Sequence, residues 1–141
     1  MDGYSFTDCH GSFTMDNPNT NYLYFPLASE RGLKSAITPD GGGDAKINQT
    51  SFLLELESVE NLHNNRGVRN FWVRVRDAGV FSALGASDMQ QARKFTPEEE
   101  PVTLSAGFMW HSVRRTVKDY GVESTVTTFI PWDSNVEIIQ G

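Results

Sequence analysis

The side chains best suited to binding chemistry are concentrated in residues 62–76, where a donor-rich loop runs into a strand-like stretch. Aromatic rings pack against the apolar faces of sugars, and arginine and asparagine side chains can hydrogen-bond to sugar hydroxyls. A surface that combines these residue types would face either a carbohydrate or another domain. In the alternative, which the usual placement of large aromatic residues favours, Trp72 is packed inside protein and arginines cover it through cation–π contacts. The candidates are Trp72, Trp110 and Trp132 with Asn64, Asn65, Arg66 and Arg69.

The second half of this stretch has the period of a β-strand. Phe71, Val73 and Val75 alternate with a second set made of Trp72, Arg74 and Arg76. Strict alternation is typical of a strand with one face buried. We therefore predict that the first set is buried and that the second set is presented on the other face.

Residues 1–141 show no arrangement that would catalyse a reaction or hold a metal. The glycines at 41–43 are followed by Asp44 rather than by Lys and Ser or Thr, so they predict a flexible loop and not a phosphate-binding loop. Asp8-Cys9-His10 lacks further ligands at the spacing of a metal site. No carboxylate pair or Ser-His-Asp set stands out. We predict no catalytic residue, no metal and no cofactor within these residues.

Composition narrows the possible partners and the compartment. The chain has 141 residues and a net charge of -6, which argues against nucleic acid and anionic membranes as main partners. The single cysteine excludes an internal disulfide framework. No apolar run reaches the length of a membrane-spanning helix, and the N-terminus has no signal-peptide pattern. We expect one domain, spanning residues 1–141, in the cytoplasm.

The order of local signals predicts an all-β protein. Residues 102–117 alternate, residues 118–121 form a tight turn in which Gly121 takes the left-handed conformation, and residues 122–130 return as a partner strand. Pro26 predicts that residues 22–27 form an edge strand or a strand that ends in a bulge, and residues 86–94 are the one helix-compatible stretch. Glu98 to Pro101 is interpreted as a solvated acidic linker. Many short strands with closely spaced turns indicate an antiparallel β-sandwich or barrel.

The end of the chain adds a further expectation. Residues 136–141 form an apolar strand pattern that no turn or polar tail follows. A strand needs a neighbour on each side or a protected edge. We therefore expect an incomplete, N-terminal portion of a longer sheet, although a short terminal strand would give the same pattern.

An ordered series of segments carries a family resemblance over essentially the whole chain. The segments are residues 22–27, 32–39, 58–66, 69–72, 107–111, 120–123 and 129–131. Together they resemble the N-terminal β-sandwich of glycoside hydrolase family 94, which includes cellobiose, chitobiose and 1,2-β-oligoglucan phosphorylases and related cyclic glucan synthase domains. One stretch departs from the pattern, since Phe81-Ser82-Ala83-Leu84-Gly85 stands where relatives tend to carry Trp-Ser-Ala-Thr-Gly.

The resemblance implies a galactose-mutarotase-like supersandwich that precedes a helical barrel, with the catalytic acid and the phosphate site in that barrel. It implies reversible, inverting phosphorolysis of β-linked gluco-oligosaccharides, in which inorganic phosphate is a co-substrate and this portion is not catalytic. The full-length enzyme would be a homodimer that binds carbohydrate. On this basis Asn64, Asn65 and Arg66 would lie at the rim of the active site, and Arg69, Trp72 and Arg74 at an interdomain or dimer interface. A stand-alone carbohydrate-binding module or a structural dimerisation domain is the alternative.

Overall fold

The computed structural model describes residues 3–18, 23–54 and 68–141, and in these ranges the chain is built almost entirely of antiparallel β-strands. The largest sheet has six strands in the order β1-β2-β9-β10-β11-β12. A second sheet has the order β3-β4-β5-β6, and β7 and β8 form a two-stranded ribbon. The strands are β1 (Tyr4–Phe6), β2 (Phe13–Asp16), β3 (Phe25–Ala28), β4 (Lys34–Ile37), β5 (Ala45–Asn48), β6 (Ser51–Phe52), β7 (Trp72–Val75), β8 (Gly79–Ser82), β9 (Val102–Gly107), β10 (Trp110–Val117), β11 (Val122–Phe129) and β12 (Ile138–Gln140).

The six-stranded and four-stranded sheets share one hydrophobic core, which makes the fold a sandwich. Alternate residues of β9 and β10 are buried, as the period of a strand with one face on a core requires. Leu104 on β9 and Val113 on β10 are fully buried, and they belong to the same cluster as Leu27 on β3 and Ile37 on β4 of the other sheet. The predicted all-β, antiparallel sandwich is confirmed, while the finer supersandwich assignment stays a prediction.

The C-terminal hairpin is the best-predicted part of the sequence. β10 and β11 pair over eight residues, from Trp110 opposite Phe129 to Val117 opposite Val122. Gly121 has a φ of 60° and closes the connection between the two strands, as predicted. The single strand predicted over residues 102–117 is in fact two, because Met109, with a φ of 62°, turns the chain between β9 and β10.

Two further local predictions are confirmed. β3, which contains Pro26, lies at the edge of the four-stranded sheet, where a missing backbone donor is tolerated. The helix α1 (Asp88–Arg93) lies within the predicted stretch, and the Ser87 side chain caps it by accepting a hydrogen bond from the backbone nitrogen of Gln90. None of the helices in the described ranges is long and apolar enough to cross a membrane.

The loop of residues 39–44 is packed rather than flexible, so that prediction is wrong. Gly41, Gly42 and Gly43 are all buried. The backbone nitrogen of Thr38 donates to the carbonyl of Gly42 at 2.9 Å. Gly43 has a φ of 116°, and a Cβ atom added there would overlap the carbonyl oxygen of Ala36. The glycines are needed because backbone segments approach one another closely at this loop.

The close approach predicts a large cost for a side chain at residue 43. Gly43→Ala should lower the free energy of unfolding by about 3 kcal/mol, since it adds an overlap to a backbone conformation that L-residues avoid. The matched control is Gly121→Ala, because Gly121 also has a positive φ but nothing lies within 4 Å of its added Cβ. The control should cost about 1 kcal/mol. Urea denaturation checks both values, and equal costs would contradict the packed loop.

Candidate functional site

A wide apolar groove lies between the β7–β8 ribbon and β11. Its volume is about 570 Å³. We call it the Trp72 groove. Among the described lining residues Glu123 has the only ionisable side chain, and its carboxylate is 2.8 Å from the Arg114 guanidinium. The described lining residues are Phe71, Trp72, Val73, Val75, Phe81, Ala83, Val122, Glu123, Ser124, Thr125, Val126 and Gly141.

The strand that forms one wall of the groove is exposed on both faces. Trp72 is 60% exposed, and Phe71 and Val73 are each 38% exposed. The prediction that Phe71, Val73 and Val75 form a buried face is therefore wrong. The physical reason is that β7 pairs with β8 alone in the described part of the chain, so the side chains of this ribbon border the open groove instead of a second sheet.

No arginine in the described ranges has a cation–π contact with Trp72. The cation–π contacts found among the described residues are those of Lys46 with Phe52 and of Lys94 with Phe95. Arg74 is exposed opposite Val80 in the ribbon and lines a separate shallow depression with Arg76. The alternative in which arginines pack over a buried Trp72 is therefore wrong.

Arg69 lies inside the protein and not on the exposed surface with Trp72. Its side chain is 3% exposed and forms an ion pair with Glu137, whose side chain is 10% exposed. The Nη2 atom donates to the Ser35 hydroxyl at 2.9 Å and to the Glu137 carboxylate at 3.0 Å. The Nη1 atom donates to the carbonyl of Gly43 at 3.1 Å. Arg69 thus joins β4, the glycine loop and the segment before β12.

His111 is a buried imidazole close to this ion pair. It is fully buried on β10, and its ring centroid lies 5.2 Å from that of Phe25. In the described part of the chain neither ring nitrogen has a hydrogen-bond partner. Burial lowers the pKa of His111 from 6.5 to about 4; the positive charge of Arg69 adds to this and Glu137 opposes it. The imidazole is therefore neutral near pH 7 in the folded protein.

A second polar cluster was missed at the sequence level. Glu100 was interpreted as part of a solvated linker, but it is 6% exposed. It accepts hydrogen bonds from the Gln90 amide at 2.9 Å and from Arg115 at 3.3 Å. A small cavity of about 40 Å³ adjoins these residues. The available signal was the inward position of Arg115 on β10, because a buried guanidinium needs a carboxylate.

The structure does not bring Trp110 or Trp132 into the groove. Asn64, Asn65 and Arg66 lie outside the described residues. Trp110 packs beside Gly107, and Trp132 is 69% exposed after β11; neither lines the groove. Asp8 accepts hydrogen bonds from the backbone nitrogens of His10 and Ser12, and no group of metal-ligating residues is found in residues 3–18, 23–54 and 68–141.

Comparison with known proteins adds no relative to this picture, since neither the protein-family models nor the curated proteins include a match to the chain. What the described residues offer is an apolar surface suited to binding. A groove whose described lining has a single ionisable side chain, already paired, can hold an apolar partner.

The buried ion pair predicts that substitution of Glu137 will destabilise the fold more than substitution of Glu123. Glu137→Gln should lower the free energy of unfolding by about 3 kcal/mol, because it leaves the buried Arg69 charge without its counter-ion. Glu123→Gln is the matched control, since it removes an exposed partner of Arg114 and should change the free energy of unfolding far less. Chemical denaturation measures both. A loss at residue 137 no larger than that of the control would contradict the role given to Arg69.

Burial of His111 predicts acid sensitivity. The unfolded chain takes up a proton on His111 below about pH 6.5, whereas the folded protein does so only near pH 4. Protonation of His111 therefore does not reduce the free energy of unfolding above pH 6.5, and it lowers this free energy by about 3 kcal/mol as the pH drops to 4. Denaturation midpoints measured between pH 4 and 7 should show this slope, and His111→Gln should flatten it. An unchanged slope in the variant would exclude His111 as its source.

Proposed function

We propose that residues 1–141 are the non-catalytic N-terminal sandwich portion of an inverting glycoside phosphorylase, which acts on β-linked gluco-oligosaccharides with inorganic phosphate. The observation that carries the proposal is the combination of a sandwich core with the Trp72 groove, whose described lining is mostly apolar. An all-β fold and the ordered series of family-like segments agree with it. In this proposal the catalytic acid and the phosphate site belong to a helical barrel outside these residues.

The exposed aromatic surface supports an assembly role for this portion. Trp72 and Phe71 together present a large apolar area at the open side of the ribbon, and exposed apolar patches mark sites of interaction. In the proposed enzyme the Trp72 groove would be the seam where the sandwich meets the rest of the protein or its homodimer partner. Arg74 lies on the same ribbon and would border that seam, whereas Arg69 supports it from inside.

The alternative is a stand-alone carbohydrate-binding module, and one observation favours it. Trp72, at 60% exposure beside a groove of about 570 Å³, is available to stack on a sugar ring. A module of this kind would bind β-glucans without any catalytic partner.

The phosphorylase proposal predicts a defined product. The protein encoded by the complete reading frame should release α-glucose 1-phosphate from β-linked gluco-oligosaccharides, because phosphate attacks the anomeric carbon opposite the leaving group and inverts it. Residues 1–141 alone should release none. Phosphate-free reactions serve as the control, and the product is quantified enzymatically or by phosphorus NMR. A reading frame without a helical catalytic region, or no phosphate-dependent product, would contradict the proposal.

A fluorescence titration separates the two functions. Residues 1–141 of the proposed enzyme should show no saturable change in tryptophan fluorescence with short β-glucans up to millimolar concentration. Trp72→Ala and Trp132→Ala are the matched pair, since both remove an exposed tryptophan but only Trp72 lines the groove. A saturable response that is lost in Trp72→Ala and kept in Trp132→Ala would support the binding module instead.

A further inference from the structure

One side of β11 is only partly paired. On that side β12 pairs with Thr127, Thr128 and Phe129. Among the described residues, the segment Val122–Val126 has no strand partner there, although β10 pairs with it along its other side. This segment lines the Trp72 groove. A row of backbone amides and carbonyls is therefore open beside an apolar surface.

In the described part of the chain, this edge has no proline, lysine or bulge to protect it. Natural sheets blunt exposed edges with proline, lysine, bulges or very short strands. The sequence Val122-Glu123-Ser124-Thr125-Val126 contains neither proline nor lysine. The strand is eight residues long, and its register with β10 runs without a shift. Glu123 is the single charge on this edge, and Arg114 already pairs with it.

The unpaired backbone groups of this edge indicate which kind of molecule could bind there. Only an extended polypeptide offers amides and carbonyls at the spacing that the edge needs, whereas a sugar or an apolar small molecule would leave the row unpaired. Inward-facing side chains of such a strand would lie on Phe71, Trp72 and Val73, which are exposed.

We propose that the edge Val122–Val126 and the Trp72 groove together accept an extended polypeptide strand presented from outside residues 1–141. The strand would run antiparallel to β11, in line with β12. The proposal goes beyond the assigned function and does not depend on it, since it stands on strand pairing alone.

The observed register specifies the side chains of this strand. Gln140 stands opposite Thr127, so the same register places Gly141 opposite Val126. Val122, Ser124 and Val126 point inward, while Glu123 and Thr125 are exposed. Residues opposite the first set would point into the groove and should be apolar. The residue opposite Glu123 would point to solvent and favours lysine.

Two extensions of the chain with the same composition test the proposal. Thr-Val-Lys-Val appended after Gly141 directs both valines into the groove, whereas Val-Thr-Val-Lys directs them to solvent and turns the lysine inward. Tethering gives the strand a high effective concentration, so weak affinity cannot hide the effect. We expect the first extension to slow exchange of the Val122–Val126 amides that point away from β10 by at least about tenfold, and the second extension to have little effect on them.

The same strand added as a separate peptide tests recognition in trans. Acetylated and amidated Val-Thr-Val-Lys-Val at millimolar concentration should protect the same amides in the unmodified chain. Trp72→Ala should weaken this protection, and Trp132→Ala should not, because Trp132 does not line the groove.

Four outcomes would overturn the proposal. The two extensions could protect β11 equally, or the in-register extension could protect none of Val122–Val126 in a folded chain. The unmodified chain could protect these amides with increasing protein concentration and sediment as a dimer, which would make a second copy the occupant. A β-glucan could protect them instead, which would make the groove a sugar site.

Discussion

The burial of a guanidinium charge is the constraint on which the surroundings of the groove depend. A buried charge is tolerated only when it is paired and its donors are satisfied. Arg69 meets this requirement by hydrogen-bonding to the Ser35 hydroxyl, to carbonyls of the glycine loop and to Glu137. These partners come from residues far apart in the sequence. One side chain therefore fixes the loop before β5, the start of the ribbon and the approach to β12 relative to one another.

The contacts of Arg69 explain how the β7–β8 ribbon can be exposed while its first residues stay fixed to the sandwich. Arg69 is held inside the sandwich, and its backbone nitrogen donates to the carbonyl of Gly41 at 3.0 Å. Three residues later Trp72 is 60% exposed. The backbone nitrogen of Ala83 donates to the carbonyl of Phe71 at 2.9 Å, which ties the far strand of the ribbon to the near one. The Trp72 groove is thus an open surface on a fixed support.

Sequence patterns predicted the elements whose signals are local and failed where burial depends on distant partners. The β10–β11 hairpin was predicted because alternation and a left-handed glycine lie within a few residues of each other, and α1 was predicted from the helix-compatible composition of its own residues. The exposure of β7 could not be found, since a period of two gives the direction of side chains but not the number of neighbouring strands. The buried contacts of Arg69 and Glu100 were also not predicted, because their partners lie in other segments of the chain.

The apolar wall of the groove and the unpaired backbone edge of β11 lie side by side because of the period of the strand. In β11 the inward positions line the groove and the backbone edge faces the same open space, so an occupant in one position meets both. A sugar ring stacked on Trp72 would use the apolar wall and leave the amides of Val122–Val126 to water. A strand in register would bury its alternate side chains against that wall and complete the ladder at the same time. An extended strand thus satisfies both requirements of the surface, burial of the apolar wall and pairing of the backbone edge. In the proposed interaction, recognition therefore depends on backbone pairing as well as on the exposed aromatic residues.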